Sequence, residues 1–400
     1  MNKIPAALAV RLRGLAGDAE RLGRLHPDQL EILYAQGLFN LYVPRSYGGL
    51  ELSLPEGLRI EEELARIDGS LGWTVTLCSG ANWFVGFLRP ELARVLFADR
   101  RVCLAGSGRA DGVARRMGGE TGMRGPGGDD TAVYEVTGRW KYATGAPHAT
   151  AFTANCRIEE DGVLLENEDG SPVVRAFVFL RPEVTIHEDW YMMGMIATAS
   201  HSFAVQGLRI REDRCFRIDA RYAVLPQPIY RYPFQAFAEA TLAVNHAGMA
   251  ERFLELWKPD ARPGQKGADG PADGPRAAKE GERDSYGEGA FGEEGDFFGR
   301  LREGRERLRI VREDFYSAID ASWEEFVQGG EGRLEGSERV SPELLTMVGE
   351  VSRTLAAEAR RVVEDLYPFC GLRAADPKTE INRVWRDLHT ASQHPLLRTP

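Results

Sequence analysis

Arg175-Ala-Phe-Val-Phe-Leu180 is short, aromatic and β-branched, and turn-forming residues flank it, so it reads as a buried strand. Ala132-Val-Tyr-Glu-Val136, Ala151-Phe-Thr-Ala-Asn-Cys156 and Ser202-Phe-Ala-Val-Gln206 have the same character and are separated by Gly-, Pro- and Asp-containing turns. Together they predict a β domain over residues 101–218. Outside that window the apolar period is helical. Leu8, Leu12, Leu15 and Leu22 recur at helix spacing, and Pro27 to Gly37 reads as a short helix that starts after His26 and is ended by glycine. A turn is expected at Tyr42–Gly49, a helix from Pro55 through Ile67, an apolar helix through Leu71–Leu77, and a last short helix from Pro90 to about Phe97. Strands gathered between two runs of helices argue for segregated layers of α+β type rather than a doubly wound sheet. The expected organisation is an N-terminal helical domain (1–100), a central β-barrel-like domain (101–218) and a C-terminal helical bundle (219–400).

In the third part, Phe237, Leu242, Val244, Ala247, Ala250, Phe253 and Trp257 form a broad apolar helix face. The segment 259–296 holds nine glycines and two aromatics, too little apolar surface to offset its ordering entropy, so a disordered insertion is expected there. Helix then resumes from Phe298 to Phe326. Ser341 and Pro342 supply an N-cap and first-turn proline for another helix, and Ile381 to His394 form the last one.

Composition narrows the function. The 400 residues carry a formal charge of −10, which repels a phosphate backbone, so nucleic acid is not an expected partner. There is no apolar run of membrane-spanning length, and Arg11 and Arg13 interrupt the N-terminus too early for a secretory core; a soluble cytoplasmic protein is expected. The five widely spaced cysteines suit reduced buried thiols, not a disulfide frame or a C-x-x-C metal site, and no metal is expected.

Four segments carry chemistry. Ala105-Gly-Ser-Gly-Arg-Ala-Asp-Gly112 is either a plain loop or a stretch where the backbone at Ser107 and Gly108 approaches a flat polar ligand. Gly138-Arg-Trp-Lys-Tyr-Ala-Thr-Gly-Ala-Pro-His-Ala149 offers aromatic surface at Trp140 and Tyr142, the Thr144 hydroxyl and a turn at Gly145, or else a core tryptophan and an ordinary turn. In Asp189–Ser202 the hydroxyls of Thr198 and Ser200 alternate with Ala197 and Ala199; in a strand both face one side with room for a ligand, or form a polar outer edge. On the last helix His389 and His394 are five residues apart, about 140° around the axis, so they do not share a metal and only one is expected to face a pocket.

In this order the segments resemble the acyl-CoA dehydrogenase family over nearly the whole chain. Gly37-Leu-Phe-Asn-Leu-Tyr-Val-Pro-Arg-Ser-Tyr-Gly-Gly49 is similar to that family's G-l-x-x-l-x-V-P-x-x-y-G-G signature. Asp68-Gly-Ser-Leu-Gly-Trp73, Trp140–Gly145, Asp189–Ser200 and the Trp385-Arg-Asp387…His394 pattern resemble its two-component, group D flavin-dependent monooxygenase branch. The resemblance implies FMN or FAD lying between the β domain and the C-terminal helices, with reduced flavin supplied by a separate reductase. It also implies a homotetramer or dimer and a small aromatic or hydrophobic substrate. Thr144 stands where the branch has a serine near flavin N5, and His394 is the implied acid/base group. It could take a substrate hydroxyl proton or steady the species formed when reduced flavin meets oxygen. Ser107, Gly108, Trp140, Tyr142, Gly145, Thr198, Ser200 and His389 are the expected cofactor contacts. The chain departs from the dehydrogenases in having no Y-x-G-T-x-E segment, in its Gly-rich stretch where they hold the flavin pyrophosphate, and in Ile196 where many relatives have arginine. The alternatives are a thioester dehydrogenase with its base at Glu239 or Glu251, and a non-catalytic scaffold.

Overall fold

A computed structural model describes residues 4–117, 132–257, 290–329 and 340–398. The first part is helical: α1 (Ala6–Gly14), α2 (Ala16–Leu22), α3 (Pro27–Ala35), α4 (Leu54–Ile67), α5 (Gly69–Asn82) and α6 (Pro90–Leu96). Local chemistry sets the α4–α5 corner. Glu56 accepts from the Ser53 amide at 2.9 Å in a capping box, and Asp68 caps α5 by accepting from the Leu71 amide at 2.9 Å. α5 is enclosed almost all round, and only Leu77 and Gly80 are half-buried.

The middle part is a mixed sheet: β1 (Leu104–Met117), β2 (Val133–Ala143), β3 (Ala151–Glu160), β4 (Val163–Leu164), β5 (Val174–Leu180), β6 (Thr185–His187), β7 (His201–Arg211) and β8 (Cys215–Phe216). Its order is β6-β7-β2-β1-β3-β5-β8, with β4 on β3; β1 and β3 are parallel and the other pairs antiparallel. Trp140, Phe152, Phe177, Phe179 and Phe203 fill its core. The C-terminal part comprises α7 (Phe234–Leu256), α8 (Ala290–Gln328), α9 (Pro342–Leu366), α10 (Leu372–Ala375) and α11 (Glu380–Ala391). One apolar core joins the helices of both ends, running from Leu58 and Leu64 on α4 to Phe237 and Val244 on α7 and Leu355 and Val362 on α9. Polar contacts tie the parts together. Arg383 on α11 meets buried Asp68 at 3.3 Å, and Asp387 accepts the Met195 amide at 2.5 Å.

This is the expected helix–sheet–helix order, with three corrections in detail. Among the described residues the β-barrel-like middle part is one mixed sheet whose path runs from β6 to β8. α8 begins at Ala290, inside the stretch expected to be disordered; residues 258–289 lie outside the described ones. Thr198 and Ser200 are not in a strand: Ile196–Thr198 is a 3₁₀ turn between left-handed Met195 and Ala199, and β7 starts only at His201. The last helix stops at Ala391, so His394 caps a following 3₁₀ turn at Pro395–Leu397. Pro395 favours that stop because the residue before a proline is disfavoured in helical geometry. No helix among the described residues is long and apolar enough to cross a membrane.

Candidate functional site

A cavity of about 290 Å³ opens where the three parts meet. α5 and the turn after it contribute Thr76, Leu77, Gly80, Ala81 and Phe84; α7 contributes Phe234, Phe237, Ala238, Thr241 and Leu242. The sheet supplies Gly106–Gly108 from β1, Thr153–Asn155 from β3 and Thr144 from the turn after β2, and the C-terminal tail adds His394 and Leu396. The walls are mostly apolar with a few convergent polar groups, as small-molecule sites usually are. No Asp or Glu is among the lining residues.

Four of the ten expected site residues line this cavity: Ser107, Gly108, Thr144 and His394. Thr198 and Ser200 stand directly behind Thr144. Its Oγ1 lies 2.8 Å from Ser200 Oγ, which lies 2.7 Å from Thr198 Oγ1, which donates to Met195 O at 2.8 Å. The direction of this relay is forced. A carbonyl has no proton, so Thr198 supplies the one facing Met195; Ser200 must then donate to Thr198, and Thr144 to Ser200. Each hydroxyl has only one proton, so the side of Thr144 Oγ1 left for a ligand can only accept.

Gly145 continues the turn in left-handed geometry, φ +78°, and its amide donates to Thr198 O at 2.9 Å. The remaining three expected contacts are elsewhere. Trp140 is enclosed in the sheet core with its ring stacked on Phe203 at 5.2 Å, so it has no free face. Its Nε1 donates to Asn155 O at 3.0 Å, placing it one layer behind a lining residue. Tyr142 is 52% exposed and meets Trp190 edge-on. His389 packs on Trp385, its Nδ1 against the Trp385 carbonyl at 2.7 Å and its Nε2 3.3 Å from Glu364.

His394 is held edge-on to Trp73, ring centroids 6.0 Å apart, and its Nδ1 accepts the Leu396 amide at 3.4 Å. Burial, and after it the charge on Arg398, push its pKa down to about 4. The ring is therefore neutral near pH 7. With Nδ1 accepting, its proton is assigned to Nε2.

The two fallback bases do not reach the cavity. Glu239 is buried against Arg353 at 3.3 Å and Gln235 at 3.0 Å, and neither it nor Glu251 is among the lining residues. Sequence reasoning missed the α5 and α7 walls and Asn155. Inside two helices that are apolar nearly all round, no periodic signal marks which residues border a void.

The residues suit a flat heteroaromatic group. Phe84 from the turn after α5 and Phe234 and Phe237 from α7 line the cavity with the backbone of Gly106–Gly108, where a Cβ at Gly106 would collide with Thr153 Oγ1 while the same position at Gly108 meets nothing. That combination offers ring-stacking surface on one side and unobstructed peptide groups and a hydroxyl on the other.

Family models for the acyl-CoA dehydrogenase N-terminal domain and C-terminal domain match residues 6–86 and 305–399. The chain belongs to the acyl-CoA dehydrogenase superfamily. The proteins it resembles include monooxygenases. It is 24% identical to indole-3-acetate monooxygenase of Pseudomonas putida over 97% of this chain and 88% of that one. It is also 24% identical to the flavin-dependent monooxygenase oxygenase subunit HsaA of Mycobacterium tuberculosis, over 97% and 89%. Among solved structures, XiaF from Streptomyces sp. in complex with FADH2 and glycerol superposes with a TM-score of 0.74 at 19% identity, over 98% of this chain and 92% of that one.

Proposed function

We propose that this chain is the oxygenase component of a flavin-dependent monooxygenase, taking reduced FMN or FAD from a separate reductase and hydroxylating a small aromatic or hydrophobic compound. The observation that carries the reading is one cavity shared by an acceptor-directed Thr144 hydroxyl and a neutral His394, with no carboxylate among its lining residues. Removing an α-proton from a thioester needs a positioned base of that kind. The relatives' names support the same choice.

When bound, reduced flavin supplies the two electrons needed to activate dioxygen. Phe84, Phe234, Phe237 and Leu242 would pack the ring system and keep water out. Thr144, held by Ser200 and Thr198, would orient a ring N–H. Gly106–Gly108 would meet the polar edge through backbone groups. Neutral His394 would exchange a proton at the substrate through its imidazole nitrogen. A homotetramer or dimer in the cytoplasm is part of the proposal, in keeping with the family resemblance.

The test is oxygen consumption with a flavin reductase, NADH, FMN or FAD, and a panel of phenols, indoles and aryl sulfides. Substrate-dependent oxygen uptake with a hydroxylated or S-oxygenated product is expected. Bleaching of bound oxidised flavin by an acyl-CoA, without oxygen incorporation, would overturn the reading.

A further inference from the structure

Behind the Thr144–Gly145 turn, on the side away from the cavity, three side chains converge from separate elements. They are Cys78 on α5, Cys103 at the entry to β1, and His148 at the end of the 3₁₀ turn Ala146–His148. One ligand atom from each lies within 4.8 Å of the other two. Both thiols are completely buried, and His148 Nε2 is a buried nitrogen with no hydrogen-bond partner among the described residues. A Cβ built on Gly145 would lie 2.8 Å from Cys78 Sγ and 3.0 Å from His148 Nε2, so the absence of a side chain there keeps the space between them open.

We propose that Cys78, Cys103 and His148 bind one thiophilic metal ion, zinc(II), at a structural site behind the flavin cavity.

The donor set is chemically selective. Two thiolates and an imidazole are a soft combination that favours zinc over magnesium or calcium. In a tetrahedral zinc site, metal–sulfur bonds of about 2.3 Å and metal–nitrogen bonds of about 2.0–2.1 Å put ligand atoms roughly 3.5–3.8 Å apart, and in this cluster they lie within 4.8 Å of one another. Three protein ligands leave a fourth position for an oxygen; Thr144 O, which accepts a hydrogen bond from the Cys78 thiol at 3.6 Å, would take it once that thiol is deprotonated.

The backbones are already held. Thr150 brackets Cys103, its Oγ1 accepting the Cys103 amide and donating to the Cys103 carbonyl at 3.1 Å each; the His148 amide donates to Gly145 O at 3.0 Å. Such clamping from the surrounding shell limits the rearrangement that binding requires. Bound zinc would pin α5, the start of β1 and the turn carrying Thr144 to one point. The assignment does not depend on flavin binding.

The experiment uses the full chain purified under reducing conditions without chelator, analysed for metal by mass spectrometry. It is then stripped and titrated with cadmium(II) while the ultraviolet thiolate-to-cadmium band is followed. About one equivalent of zinc as purified and a band saturating at one cadmium, reversed by competing zinc, are expected. Cys103→Ser and His148→Ala should weaken metal binding by more than the roughly tenfold to hundredfold typical of losing a supporting hydrogen bond. Cys215→Ser, outside the cluster, should leave it unchanged. Three results overturn the proposal: no cadmium band in the folded wild-type protein, a band that survives in the Cys78→Ser/Cys103→Ser double variant, or a Cys78–Cys103 disulfide in the native reduced preparation. The wild-type titration decides the matter even if a variant does not fold.

Discussion

Replacing Thr144 with valine tests the hydroxyl relay, because it removes the oxygen while keeping the branched shape. In the native turn Thr144 donates to Ser200 at 2.8 Å, and the chain of protons to Thr198 and Met195 O leaves only acceptor capacity toward the cavity. A reduced flavin presents an N–H at N5, whereas the oxidised form presents a lone pair there. Under the proposed function, Thr144 Oγ1 would accept from that N–H and so favour the reduced form. A neutral hydrogen bond contributes about 0.5–1.5 kcal/mol net, which at about 1.4 kcal/mol per tenfold corresponds to a loss of roughly 2- to 12-fold in affinity. The assay is anaerobic titration of the protein with dithionite-reduced FMN or FAD, set beside an aerobic titration with the oxidised cofactor. Thr144→Val should weaken the reduced form by that factor and leave the oxidised form within about twofold by the same reasoning; Thr144→Ser should behave as wild type. Ser200 keeps its donation to Thr198, so the fold should lose only about 1 kcal/mol in denaturant unfolding. Equal weakening of both redox forms, or a larger loss for the oxidised one, would refute the directional argument.

His394→Ala should leave reduced-flavin affinity nearly intact and lower the product formed per oxygen consumed; unchanged coupling, measured by oxygen electrode and product chromatography, removes His394 from the chemistry. Acid should destabilise the fold through His246, which is fully buried, with Nδ1 against the Leu242 carbonyl at 3.1 Å and a pKa lowered by burial from 6.5 to about 4. The folded-state pKa lies below the unfolded one, so this stabilising contribution is complete above pH 6.5 and is lost as pH falls toward 4. Between pH 7 and pH 5 it accounts for about 2 kcal/mol. Urea unfolding of His246→Asn, whose amide can still donate to Leu242 O, should show a correspondingly smaller loss over that interval; an identical loss means that another group carries it.

Local pattern was enough for the order of the layers. The apolar period changes at the strands around Arg175–Leu180, and Pro27, Pro90 and Pro342 mark helix starts. These signals act within a turn or two of chain, where backbone sterics and hydrogen-bond geometry are determined by neighbouring residues. The candidate site was legible only where its chemistry sits on one short segment, as with Thr144 or the Ser107–Gly108 backbone. Trp140 illustrates the limit. An aromatic at a strand end has the same sequence signal whether it faces a ligand or the core, and the packing of Phe203 and Phe179 over it decided for the core. Thr198 and Ser200 meet Thr144 through a 3₁₀ turn rather than a strand. His394 faces the cavity because the helix ends before Pro395. The Cys78–Cys103–His148 cluster has no spacing motif because α5, β1 and a turn each bring one member. Burial pattern along a chain specifies which face of an element is hidden; what that face meets is specified only when elements far apart in sequence pack together.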